Sequence, residues 1–267
     1  MTNNSGWALA LGPGGPVGTA WLLGLAAGLR EAGVEPADAG LVVGTSAGAI
    51  AGAAITTGRD LAALAELPPA GGPPPAVDGS VMARVFELGR DPALDPGEVR
   101  RRIGRLALDN GALPAQRHHA SMSYLVGTDR WPETRLLITG VEVESGEPVV
   151  WDASSGVPLS LAVAASSAAP GFAEPVAIGG RRYLDGAFAG WSNEELAKGA
   201  GPLIVIEPLP HMSHGGGDVR IVPDERALEV FGPNVGDRSR WAPVYREGVR
   251  QAPEAAERIA GALALRR

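Results

Sequence analysis

The sequence contains no cysteine, which excludes disulfides and thiolate metal sites. Aromatic residues are scarce at 5%, although 45% of the chain is hydrophobic, so the core is built from Ala, Val and Leu. No Lys/Arg-rich stripe with interleaved aromatics is present, which removes the electrostatic basis for nucleic-acid binding. The net charge of −7 argues against broad attraction to anionic membranes. It leaves room for a local basic patch and transient contact with a membrane surface. The four histidines (His118, His119, His211 and His214) form no metal-ligand pattern with nearby carboxylates, so no metal is expected. His118-His119 reads as a surface pair.

Long apolar runs are also missing. Residues 1–29 carry no charged side chain, but Gly12-Pro13-Gly14-Gly15-Pro16 splits them into two short pieces. Neither reaches the roughly 20 apolar residues of a membrane span. No positive charge precedes the apolar core, as a signal peptide requires. The uncharged run Ala39 to Gly58 is interrupted by glycines in the same way. The expectation is a soluble, cytoplasmic protein whose 267 residues form one domain.

What is abundant is glycine (38) and proline (23), placed between apolar runs. "WALALG" reads as a strand and Thr19 to Gly33 as a buried helix. "AGLVVGT" is a second strand and "SAGAIAGAAITTG" a helix of small residues. Strand–helix–strand–helix at this spacing predicts a βαβ unit on a largely parallel sheet. Near-continuous apolar strands fit a sheet covered on both faces. The Pro/Gly-rich stretch 68–79 reads as a linker. Alternating charge and apolar residues from about 80 to 125 predict a helical insertion, either a packed side layer or a cap. A hairpin is expected across Glu144-Ser145-Gly146-Glu147, then a small-residue helix ending near Pro170. Strands follow at "RRYLDGAF" and "GPLIVIEPLP". Residues 211–220 read as loop, and "APEAAERIAGALALRR" as a closing helix that packs on the core.

The chemistry centres on "LVVGTSAGAI". Gly44 lets the chain reverse after a strand, and Gly48 lets the next helix pack close. Ser46 then sits at a helix N-terminus, where free N–H groups favour developing negative charge. This is nucleophile-elbow logic. Between the first strand and helix, Gly14 and Gly15 are candidate donors to an oxyanion; the alternative is a plain glycine-rich turn. A dinucleotide site is disfavoured, because Gly12, Gly14 and Gly18 miss the required spacing and no acidic ribose partner follows the second strand. Two kinds of base remain open. His211 or His214 would complete a Ser-His-Asp triad. Asp185, at a strand end with Gly186 behind it, would act on the serine directly. Asp78-Gly79 is the other Asp-Gly pair, but it lies in the Pro-rich stretch.

Together these features resemble the patatin-like phospholipase family. The resemblance rests on Gly14-Gly15 through Gly18, on Gly44-Thr45-Ser46-Ala47-Gly48 and on Asp185-Gly186-Ala187. The middle stretches "LLITGVEVESGEPVVWD" and "AVAASSAAPGFAEPVAIGGRRYLDGAF" add to it, and it spans about residues 7–207. It implies a three-layer α/β/α fold with a mostly parallel sheet and a Ser46–Asp185 dyad. It also implies an oxyanion hole at Gly14, Gly15 and Gly18, a lipid or other acyl-ester substrate, and no cofactor. By family position Ser166-Ser167 lines the site wall. Two departures stand out. Pro13 replaces a glycine and Val17 stands where the family carries a basic residue. "FAGWSNEELA" lacks the Asn-Pro that often follows the Asp. The other readings are a non-catalytic relative that binds acyl chains or a protein, and an α/β-hydrolase esterase with a histidine triad. Trp191, Trp241 and the pair Arg181-Arg182 read as packing residues and a solvated strand edge rather than as lipid contacts.

Overall fold

The computed structural model describes residues 6–67, 79–212 and 215–265. The first half of the chain runs β1 (Ala8–Leu11), α1 (Gly15–Glu31), β2 (Leu41–Gly44) and α2 (Ala47–Thr56). Three helices follow: α3 (Gly79–Arg90), α4 (Pro96–Asp109) and α5 (Ala115–Val126). Then come β3 (Arg135–Glu142), β4 (Pro148–Trp151), α6 (Leu159–Ser166), β5 (Val176–Ile178) and β6 (Arg181–Asp185). The chain closes with β7 (Leu203–Ile206), β8 (Val219–Ile221), α7 (Glu225–Phe231) and α8 (Trp241–Ala264).

The strands form one sheet in the order β5-β6-β3-β2-β1-β7-β8, with β4 also paired to β3. From β3 to β8 every neighbour is parallel; β4 and β6 run antiparallel to β3, and β5 antiparallel to β6. The continuous apolar strands have the expected cause, since β1, β2 and β7 are buried at every residue. Side chains alternate across a strand, so each strand feeds both faces. Leu9, Leu11, Val42, Ile138 and Ile204 meet α1, α2, α5, α6 and α8 in the main core. Ala8, Ala10, Val43, Leu137 and Val205 face the other way, where Ala197 joins them. Farther along that face α3 and α4 pack Val85, Ile103 and Leu106 against Val141, Val143 and Leu184. The sheet is thus flanked by helices on both sides.

Several boundaries differ from the sequence reading. Helix α1 begins at Gly15 rather than Thr19, because Pro16 lies in its first turn, where a missing N–H costs no helical bond. Helix α8 begins at Trp241 and runs through Pro253. Residues 211–220, read as loop, contain the start of β8, and α7 was not foreseen. The expected hairpin is β3–β4, with Val141 opposite Pro148. The linker at 68–79, with Asp78, lies outside the described residues except for Gly79. Among the described residues no helix is long and apolar enough to cross a membrane.

Candidate active site

Strand β2 ends at Gly44, and Thr45 closes the turn by donating its N–H to Leu11 O at 3.1 Å. Ser46 follows with φ 56° and ψ −114°. Only Asn193 shares a positive φ among the described non-glycine residues. Such a conformation costs about 1–3 kcal/mol and persists only where its surroundings impose it. The surroundings here are the two glycines. A Cβ on Gly44 would lie 2.7 Å from Gly48 O, and one on Gly48 would lie 2.0 Å from Leu11 O. Helix α2 therefore starts pressed against β1 and β2, with Ser46 at its cap. The Ser46 N–H donates to Ser166 Oγ at 3.0 Å, which puts Ser166 in the wall of the site. Ser167 turns away and donates to Val163 O.

Asp185 ends β6, opposite Gly140 of β3. Its Oδ2 accepts the Ser46 hydroxyl at 2.7 Å. Its Oδ1 accepts the Ala187 N–H at 2.9 Å, and its own N–H donates to Ala168 O. A Cβ on Gly186 would lie 2.3 Å from Thr139 Oγ1, so the residue after the aspartate has no room for a side chain. Both Ser46 and Asp185 are buried. Burial pushes the Asp185 carboxyl from 3.8 up to about 7, against the downward pull of the Ala187 N–H and the Ser46 hydroxyl. A carboxyl of that kind, bonded to a hydroxyl, can take its proton near neutral pH.

The glycine loop is shorter than the sequence suggested. Gly14 and Gly15 have N–H groups with no acceptor among the described residues, as expected at a helix start. Gly18 does not: its N–H donates to Gly14 O at 2.9 Å inside the first turn of α1. The expectation that Gly18 donates to an oxyanion is corrected accordingly. Its small size serves packing, since a Cβ there would lie 2.9 Å from Pro208 Cβ. Val17 is fully buried, and its N–H reaches Val235 O at 3.3 Å. A further N–H without an acceptor was not foreseen in the sequence. The N–H of Ala47, directly after Ser46, also lacks a described acceptor at the start of α2.

The described histidines stand apart from this arrangement. Ser46 bonds the aspartate with no imidazole between them. His211 is exposed, and His214 lies outside the described residues. The surface reading of His118-His119 is overturned for His118, which is buried. Its Nε2 lies 3.1 Å from Ala164 O, and burial lowers its pKa to about 4. His119 reaches Ser160 Oγ on α6 at 2.9 Å. Arg181 and Arg182, exposed at the start of β6, pair with Glu142 and Glu144, and Trp241 is in the core. Among the described residues no cluster of His, Asp or Glu could hold a metal ion.

A family model described as Patatin-like phospholipase matches residues 9–197. The chain belongs to the patatin-like phospholipase family. The match runs from β1 through the segment after Asp185 and so includes Gly14, Gly15, Gly18, Ser46, Ala47, Ser166 and Asp185. Two solved structures align with 94% of this patatin-like chain. VipD from Legionella pneumophila does so at 12% identity and TM-score 0.49, over 66% of its own length. The type III effector protein ExoU does so at 18% identity and TM-score 0.42, over 52% of its own length. The chain thus spans about half to two thirds of the proteins it resembles. No curated protein matches it.

Proposed function

We propose that this chain is a serine-dependent lipid acyl hydrolase that cleaves carboxylic esters through Ser46 and Asp185. The observation that carries the reading is the 2.7 Å bond between Ser46 Oγ and Asp185 Oδ2 in a buried setting. Ser46 Oγ attacks the ester carbonyl carbon while its proton passes to Asp185. The carbonyl oxygen becomes an oxyanion near the N–H groups of Gly14 and Gly15, with Ala47 as a third donor. Collapse breaks the bond to the alcohol, which leaves with the proton held by Asp185. An acyl-Ser46 ester remains. Water then gives its proton to Asp185 and attacks the acyl carbonyl. Ser46 leaves with that proton, and the carboxylic acid departs. All of these steps use groups of this chain, the ester and water. No metal or organic cofactor takes part.

The test is hydrolysis of short- and long-chain nitrophenyl esters by wild type, Ser46→Ala and Asp185→Asn. Wild type should turn both over, and each substitution should lower kcat by about a thousandfold or more. The ratio between chain lengths begins to define the substrate. Absence of wild-type turnover in folded protein would overturn the hydrolase reading in favour of an acyl-binding relative. Retained activity in Asp185→Asn would point to a different base.

A further inference from the structure

On the far side of the sheet from the Ser46–Asp185 bond lies a second buried polar group that the proposed chemistry does not use. Thr139 sits in β3 among apolar residues, between Ile138, which faces the main core, and Gly140, the partner of Asp185. Alternation along a strand turns Thr139 to the opposite face from Ile138 and Gly140. There its Oγ1 lies 3.0 Å from Thr45 Oγ1. The Asn193 carboxamide closes the cluster. Its Nδ2 donates to Thr45 Oγ1 at 2.9 Å, to Thr139 Oγ1 at 3.2 Å and to Gly186 O at 3.2 Å. An amide offers two hydrogens, so one is shared among these three oxygens.

The partners are not arbitrary. Thr45 is the residue before Ser46, and Gly186 is the residue after Asp185. One side chain thus bonds the peptide neighbours of both groups, while the strand between them supplies the third acceptor. Asn193 is itself 4% exposed and takes φ 50°, the left-handed region that Asn tolerates better than most residues. A buried cluster of hydrogen-bonded polar groups rigidifies its surroundings. We infer that Asn193 is a positioning residue: through Thr45, Thr139 and Gly186 it fixes the distance between Ser46 and Asp185. This rests on the hydrolase reading above for its consequence on rate, but not for its consequence on geometry.

The experiment compares wild type with Asn193→Gly, Thr139→Val and the double variant. Glycine keeps the left-handed backbone available and removes only the carboxamide. Valine keeps the shape of threonine and removes its hydroxyl. Two readouts are taken: kcat and KM on a short nitrophenyl ester, and the titration midpoint of the Asp185 carboxyl by carbon-13 NMR. With the pair loosened, kcat should fall about 10- to 100-fold while KM stays within about twofold, the signature of a misplaced reacting group. The Asp185 midpoint should move down as water reaches the carboxyl. The double variant should lose little more than the worse single one, because both act through one cluster. Unchanged kcat and an unchanged midpoint in folded Asn193→Gly would overturn the inference. If that variant does not fold, the same two readouts on Thr139→Val decide it. If wild type turns over no ester, the hydrolase reading fails, and the Asp185 midpoint alone judges the role of Asn193.

Discussion

Asp185 carries the most exposed prediction at the scale of single residues, because its carboxyl titrates near pH 7 when folded and near 3.8 when unfolded. The base must be ionised to accept the Ser46 proton, so kcat/KM should rise with pH through an apparent pKa near 7 and then level off. A flat profile from pH 5 to 9 would count against a carboxylate base. Stability moves the other way. Between pH 4 and 7 the folded state holds a proton that the unfolded state has released, so wild type loses stability as pH rises through that window. Asp185→Asn has no such proton to lose. Relative to wild type it should gain on the order of a few kcal/mol between pH 4 and pH 8, read from denaturant midpoints at both pH values. At this scale the meeting of Ser46 and Asp185 was legible, since glycines at set offsets from the serine and the aspartate leave a readable pattern. Gly18 looked like a donor only because a glycine in a helix's first turn is indistinguishable in sequence from one in the preceding loop. Asn193 and Thr139 were not legible. The two threonines that Asn193 bonds are 54 and 148 residues distant from it along the chain, and nothing local signals a meeting across the sheet. The one hint was a hydroxyl inside the apolar run "LLITGV".

The elements were readable where one force dominated. Strands β1, β2 and β7 announce themselves because both faces are buried, so every residue is apolar. Helix α8 was half missed because Pro243 and Pro253 break the pattern, although the first lies in the opening turn. Strand β8 has three residues and a single neighbour, too little for periodicity to show. What holds α8 in place is its approach to α1, which depends on glycine. A Cβ on Gly24 would lie 2.0 Å from Tyr245 O, and one on Gly248 would lie 2.3 Å from Trp21 O. Gly24→Ala should therefore destabilise by at least about 1–3 kcal/mol, the usual cost of overpacking, despite the better helix propensity of alanine. Gly261→Ala is the control on α8, where a Cβ meets nothing within 4 Å. It should stabilise by roughly 0.5–1 kcal/mol. Thermal midpoints that move in the same direction for both substitutions would mean that the α1–α8 contact is looser than described here.

The whole molecule sets how a lipid surface would meet the site. Its 23 Lys and Arg are outnumbered by 30 Asp and Glu. The densest run of cations is Arg100 to Arg105 on α4, where three of the four arginines share one carboxylate. Glu98 pairs with Arg101, Arg102 and Arg105, and the first two hold its carboxyl down at about 2. Glu98 offsets one of those four charges, and at a distance the field follows the net charge of −7. On vesicles rich in anionic lipid, repulsion should dominate at low salt and fade as the Debye length shrinks from about 30 Å at 0.01 M to about 10 Å at 0.1 M. The initial rate on such vesicles should therefore rise with salt across that range. The rate on zwitterionic vesicles, and on a soluble short ester, should stay level. The opposite slope, a rate on anionic vesicles that falls as salt is added, would reveal a basic surface that recruits the protein in spite of its net charge. The arginines of α4, released from Glu98, would then be the first residues to substitute.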